Sequence, residues 1–101
     1  MKVDEFTLEI PSPTRDRSDT WRVVFRPLER GEYGECHFAD RTIVINSRLR
    51  RRDTIAATLV HEIIHACSWQ LAEGCVRFME QAIMDGLVKV NLRPKRKTHK
   101  R

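Results

Sequence analysis

The sequence lacks most of what would mark a special class. No stretch reaches the roughly 20 apolar residues that span a bilayer, so nothing in the sequence points to a membrane protein. Gly and Pro number four each, and there is no internal repeat, which excludes collagen-like and repetitive architectures. The three cysteines, Cys36, Cys67 and Cys75, are odd in number and lack paired spacing. They make no disulfide framework and fit a reducing compartment. The start, MKVDEFTLEI, carries acids where a signal peptide needs an apolar run. A cytoplasmic protein is expected, and nothing fixes its oligomeric state. At 101 residues, one domain with a modest core is expected.

Net charge is also scarcer than it looks. The formal value is +5, but six basic residues (Arg93, Lys95, Arg96, Lys97, Lys100, Arg101) and no acidic one lie from Arg93 onward, leaving 13 basic against 14 acidic in residues 1–92. The expected organisation is a near-neutral domain over 1–92 and a basic tail over 93–101. A tail this polar cannot offset the entropy of ordering by burial, so it is expected to be disordered alone. It reads equally as an electrostatic arm for nucleic acid or another polyanion and as a solubilising terminus.

The remaining sequence divides into two halves. Phe6, Leu8 and Ile10 alternate with polar residues and predict a strand, which Pro11 and Pro13 end. Asp16 to Thr20 reads as a loop. Trp21 to Leu28, aromatic and β-branched, predicts a second strand. Gly31 and Gly34 mark a turn, and Thr42 to Ile45 predicts a third strand. Beyond Asp53, a candidate N-cap, the segment to about Trp69 has neither Gly nor Pro and is apolar on nearly every side. This predicts a buried helix. A second helix is expected from about Ala72 to Val88, with Val76, Met79, Ile83 and Leu87 as its core stripe. The connection is short and favours antiparallel helices. The expected fold class is α+β: a small antiparallel sheet of about three strands, packed on one helix and then a second.

The sharpest motif is His61-Glu62-Ile63-Ile64-His65. Residues four apart share one face of a helix, so both imidazoles can bind one zinc ion from the same side. Glu62 is turned about 100° from His61. There it flanks the metal and suits a general base acting on a zinc-activated water. Two histidines and a glutamate on an apolar helix are costly unless something satisfies them. A catalytic zinc site has three protein ligands. The second helix offers Glu73 as first choice and Glu80 as second, seven residues apart on one face. Cys67 and Cys75 read as small buried hydrophobes. Cys36 and His37, adjacent on an extended segment, would point to opposite faces. Tyr33, the only tyrosine, is a candidate oxyanion donor.

These residues resemble a known family. A turn flanked by glycines, a short strand (Thr42 to Ile45), a helix carrying Thr58-Leu59-Val60-His61-Glu62-Ile63-Ile64-His65-Ala66, and Leu71-Ala72-Glu73 opening a second helix look like the minimal gluzincin or SprT-like metallopeptidase-related domains of phages and bacteria. The resemblance covers about residues 33–88. It implies one zinc ion held by His61, His65 and Glu73, and peptide hydrolysis with Glu62 as general base. It also implies an edge strand, Thr42-Ile43-Val44-Ile45, that pairs with an extended peptide or protein substrate. The alternatives are a nucleic-acid-associated module in which zinc is structural, and a phage interaction protein without proteolytic activity. Glu62 argues against a structural site, which has no use for it.

Overall fold

The computed structural model describes residues 4–92. The basic tail, with Arg93, Lys95, Arg96, Lys97, Lys100 and Arg101, lies outside the described residues. Four strands and two helices follow one another as β1 (Glu5–Pro11), β2 (Ser18–Arg26), β3 (Gly34–His37), β4 (Thr42–Asn46), α1 (Arg52–Cys67) and α2 (Glu73–Lys89). No helix among the described residues is long and apolar enough to cross a membrane.

The architecture is α+β, but the sheet has four strands and is mixed, in the order β1-β2-β4-β3. β1 and β2 form an antiparallel pair in which Phe6 faces Val23 and Leu8 faces Trp21. β2 starts at Ser18, inside the segment expected as a loop. The chain then passes the place β4 will occupy, runs back as β3, turns at Phe38–Arg41 and returns as β4, parallel to β2. Arg41 takes a left-handed conformation there, with φ of 50°.

The expectation that Thr42–Ile45 forms the edge strand is overturned. β4 lies inside the sheet, between β2 and β3, and all five of its residues are buried. The reason is that β3 hydrogen-bonds along the outer side of β4, from Gly34–Ile45 to His37–Thr42, and so takes the edge position. The unbroken apolar run Ile43-Val44-Ile45 reflects a separate property, burial of both faces. The edge is β3, whose Gly-Glu-Cys-His composition carries little strand propensity.

The core is formed by Ile10, Trp21, Val23, Ile43, Ile45 and Ala66, against which Ile55, Leu59 and Ile63 of α1 pack. Among these elements, α2 packs on α1 alone. α1 is thus sandwiched between the sheet and α2, which accounts for its apolar residues on nearly every side. It is half-buried rather than enclosed, with only Thr58, Glu62 and Ala66 fully buried, because a cleft opens beside it. Asp53 is not the N-cap. That position is Arg51, with no side-chain cap, and Asp53 sits in the first turn, 3.2 Å from Arg51. The α2 stripe is also rotated from expectation. Val76 and Met84 are buried, while Met79 and Ile83 are over 40% exposed. The inward face therefore runs through positions 76, 80 and 84, and it carries Glu80 toward α1.

Candidate metal centre

α1 presents His61 and His65 one turn apart, their rings 4.8 Å apart at 66°. Helix geometry alone fixes this pairing. The antiparallel return of α2 brings its first residue, Glu73, across the pair. One carboxylate oxygen lies 3.0 Å from His61 Nε2 and the other 3.0 Å from His65 Nε2. The three ligand atoms lie within 4.8 Å of one another. Glu80, two turns further along α2, sits 2.9 Å from His61 Nδ1, on the opposite ring nitrogen.

This donor set can be tested against a metal ion. Two imidazole nitrogens and a carboxylate are borderline-hard donors of the kind zinc takes. Bonds of about 2.0–2.1 Å in tetrahedral geometry place ligand atoms roughly 3.3 Å apart; here each Nε2 lies 3.0 Å from a different Glu73 oxygen and the set spans up to 4.8 Å, so side-chain shifts of about an ångström close it around one ion. Both Nε2 atoms face the same carboxylate, and Glu80 engages the nitrogen pointing away from it. A neutral His61 donating Nδ1–H to Glu80 keeps its Nε2 lone pair on the metal side. The residues present therefore fit a divalent metal.

Glu62 is 7% exposed and lines the cleft beside the histidines. Burial pushes its carboxyl up to about 7; His61 pulls the other way, and Glu73, Glu35 and Glu80 add to the rise. Glu73 is held below its ordinary value. Desolvation would raise it, but His61, His65 and Arg77 outweigh that. Burial, with help from Glu62 and Cys67, pushes the Cys36 thiol up to about 12, so it stays protonated. Burial also raises Cys67. Cys67 is half-buried as expected for a small hydrophobe, but Cys75 is exposed.

The cleft has a volume of about 800 Å³ and runs between α1 and β3, with Tyr33 and Arg77 on its walls. β3 forms one wall because Gly34 lets it approach α1. A Cβ there would lie 2.8 Å from Thr58 Cγ2, 2.9 Å from the Val44 carbonyl oxygen and 3.2 Å from Glu62 Cγ. The approach to β3 is held by Asn46, buried at the end of β4. Its side chain accepts from the Leu28 and Arg48 amides at 3.2 and 3.0 Å and donates to the Glu32 carbonyl at 2.6 Å. Sequence reasoning missed Gly34, Glu35 and Asn46. The signal for Gly34 was a glycine directly before a polar-apolar-polar triplet, which reads as turn or as strand start. The expected substrate-binding residues Thr42 to Ile45 do not reach the cleft wall; β3 stands there instead.

A helix with two histidines four apart, a buried glutamate between them and a carboxylate from the next helix defines a zincin-like metal-binding domain. The chain belongs to the SprT-like family, whose model matches residues 4–80. No curated protein and no solved structure matches it.

Proposed function

We propose that this chain is a zinc-dependent metallopeptidase in which His61, His65 and Glu73 hold the ion and Glu62 is the general base. The observation that carries this reading is the convergence of the three ligand atoms beside a buried Glu62 in an open cleft. Zinc, when bound, supplies Lewis-acid polarisation of a carbonyl and lowers the pKa of water to near neutrality. Glu62 takes the proton from the attacking water and delivers it to the leaving amine. Glu80 fixes the orientation and tautomer of His61. Among the described residues the outer edge of β3 is unpaired and offers backbone groups to an extended peptide, and Tyr33 on the cleft wall offers a hydroxyl to a developing oxyanion.

The test is Glu62→Gln in the full chain. The variant is expected to bind zinc as the wild type does and to lose peptide hydrolysis by about 10²–10⁴-fold. Retained cleavage rules out Glu62 as the base.

A further inference from the structure

A second cleft of about 330 Å³ opens at the far end of α1, within the range of about 300–1,000 Å³ typical of ligand sites. Its floor is Trp21, 4% exposed, and Ala66, 1% exposed. Its walls are Phe38 and Trp69, which keep 45% and 49% of their surface exposed although both are large aromatics. Phe38 stands edge-on to Trp21, ring centroids 5.8 Å apart at 88°. Three rings around one opening, two of them wet, form an apolar surface of the kind that marks a binding site.

The second cleft continues the first. Phe38 lines both. Along α1 the metal cleft is lined as far as His65, and the second cleft begins at the next residue, Ala66. Along the other wall the metal cleft follows β3 to Phe38, and the second takes over from Phe38 to Arg41. A peptide extended along the free edge of β3 passes the metal and runs on past Phe38. Trp69 lies just beyond the end of α1, which closes at Cys67 with Ser68 as its C-cap. The aromatic cleft is therefore reached by peptide residues close to the bond at the metal.

The chemistry selects the occupant. Of the three charged groups in the lining, Asp19 lies 3.8 Å from Arg17 and 3.7 Å from Arg41, and Arg15, exposed at the rim, makes no ion pair among the described residues. An anionic side chain would meet Arg15 only at that exposed rim and would leave the rings of the floor and walls uncovered. An aromatic ring covers them, packing edge-to-face or offset against Phe38, Trp21 and Trp69. We propose that this cleft is a specificity subsite that takes an aromatic side chain of the peptide substrate, close to the scissile bond on the Phe38 side. The inference rests on the peptidase reading.

Two measurements on the zinc-loaded full chain test it. In the first, indole N–H resonances of Trp21 and Trp69 are followed by NMR while N-acetyl-phenylalaninamide, and separately N-acetyl-alaninamide, are added. Saturable shifts with the first probe and none with the second are expected, and Trp69→Ala should abolish the Trp21 shift. The absence of a saturable shift overturns the pocket. In the second, a quenched-fluorescent peptide library is cut. Peptides with Phe, Tyr or Trp at one fixed position near the cleaved bond should have kcat/KM about tenfold or more above their alanine counterparts. In Trp69→Ala, and independently in Phe38→Leu, this ratio should fall toward one. Cleavage with no aromatic preference, a preference for Asp or Glu, or a preference that survives both variants sinks the subsite and leaves the peptidase reading intact. Binding of the phenylalanine probe with no library member cut sinks the peptidase reading, and with it the pocket's part in substrate choice.

Discussion

At the scale of single residues, the centre is a division of labour among carboxylates that differ mainly in where they point. Glu73 spans both Nε2 atoms, Glu80 meets His61 from behind, and Glu62 is buried beside them. Removing Glu80 should therefore weaken the site without dismantling it. Glu80→Ala is expected to lower zinc affinity about 10–100-fold, with Glu80→Gln recovering part of the loss; competition against a fluorescent chelator reads this. An unchanged affinity in Glu80→Ala would mean that the contact to Nδ1 does nothing for the metal. Glu62 carries a second consequence. Its folded-state carboxyl titrates near 7 against an ordinary value of 4.5. Between those values the unfolded chain gives up the proton and the folded chain keeps it. The metal-free protein therefore loses stability from this group as pH rises from about 4.5 to 7, by no more than about 3 kcal/mol. Glu62→Gln should remove that loss. Urea unfolding of both metal-free proteins across this range should give curves that converge at acid pH and separate toward neutrality. The paired histidines and Glu62 were legible in the sequence because their spacing is local helix geometry. The position of Glu80 was not. It depends on how α2 is rotated about its axis, and the exposed Met79 and Ile83 give that helix a misleading apolar stripe.

At the scale of elements, the cleft depends on β3 lying close against α1, and that depends on Gly34. Gly34→Ala forces a methyl against Thr58 Cγ2 and the Val44 carbonyl, neither of which is the free end of a long side chain. A cost of roughly 1–3 kcal/mol is expected, with β3 displaced from Glu62. Thermal unfolding reads the first and hydrogen exchange at β3 amides the second; a variant as stable as the wild type would mean that the close approach is not needed. β1 was legible from its alternation, β2 from Trp21 onward by its aromatic and β-branched residues, α1 from a long apolar run free of Gly and Pro, and α2 from apolar residues at helical spacing. β3 was hidden by being only four residues long, with a glycine first and charged Glu35 in the middle. The resemblance implied that Thr42 to Ile45 was the edge, and with β3 missed nothing in the sequence opposed it. The continuous burial of Thr42 to Asn46, foreshadowed by the unbroken Ile43-Val44-Ile45 run, marks a strand covered on both faces; its lateral neighbour had to come from β3.

At the scale of the whole molecule, the sheet, α1 and α2 are successive layers, and His61, His65 and Glu73 are shared between the two helical ones. A metal held by these three would tie α2 to α1 beyond the apolar contact through one face of α2. The charge of +5 does not belong to these layers, since residues 1–92 hold 13 basic and 14 acidic side chains. Deleting residues 93–101 should abolish salt-dependent binding to heparin or DNA and leave the zinc stoichiometry unchanged. Loss of zinc in the truncated chain would refute the separation of basic tail and metal domain. The central claim, that His61, His65 and Glu73 hold a single ion, is tested most directly by elemental analysis of the purified full chain beside His61→Ala, His65→Ala and Glu73→Ala. One zinc ion per chain is expected in the wild type and a substoichiometric content in each variant. A wild type without zinc after equilibration with the metal, or full occupancy that survives Glu73→Ala, would contradict it.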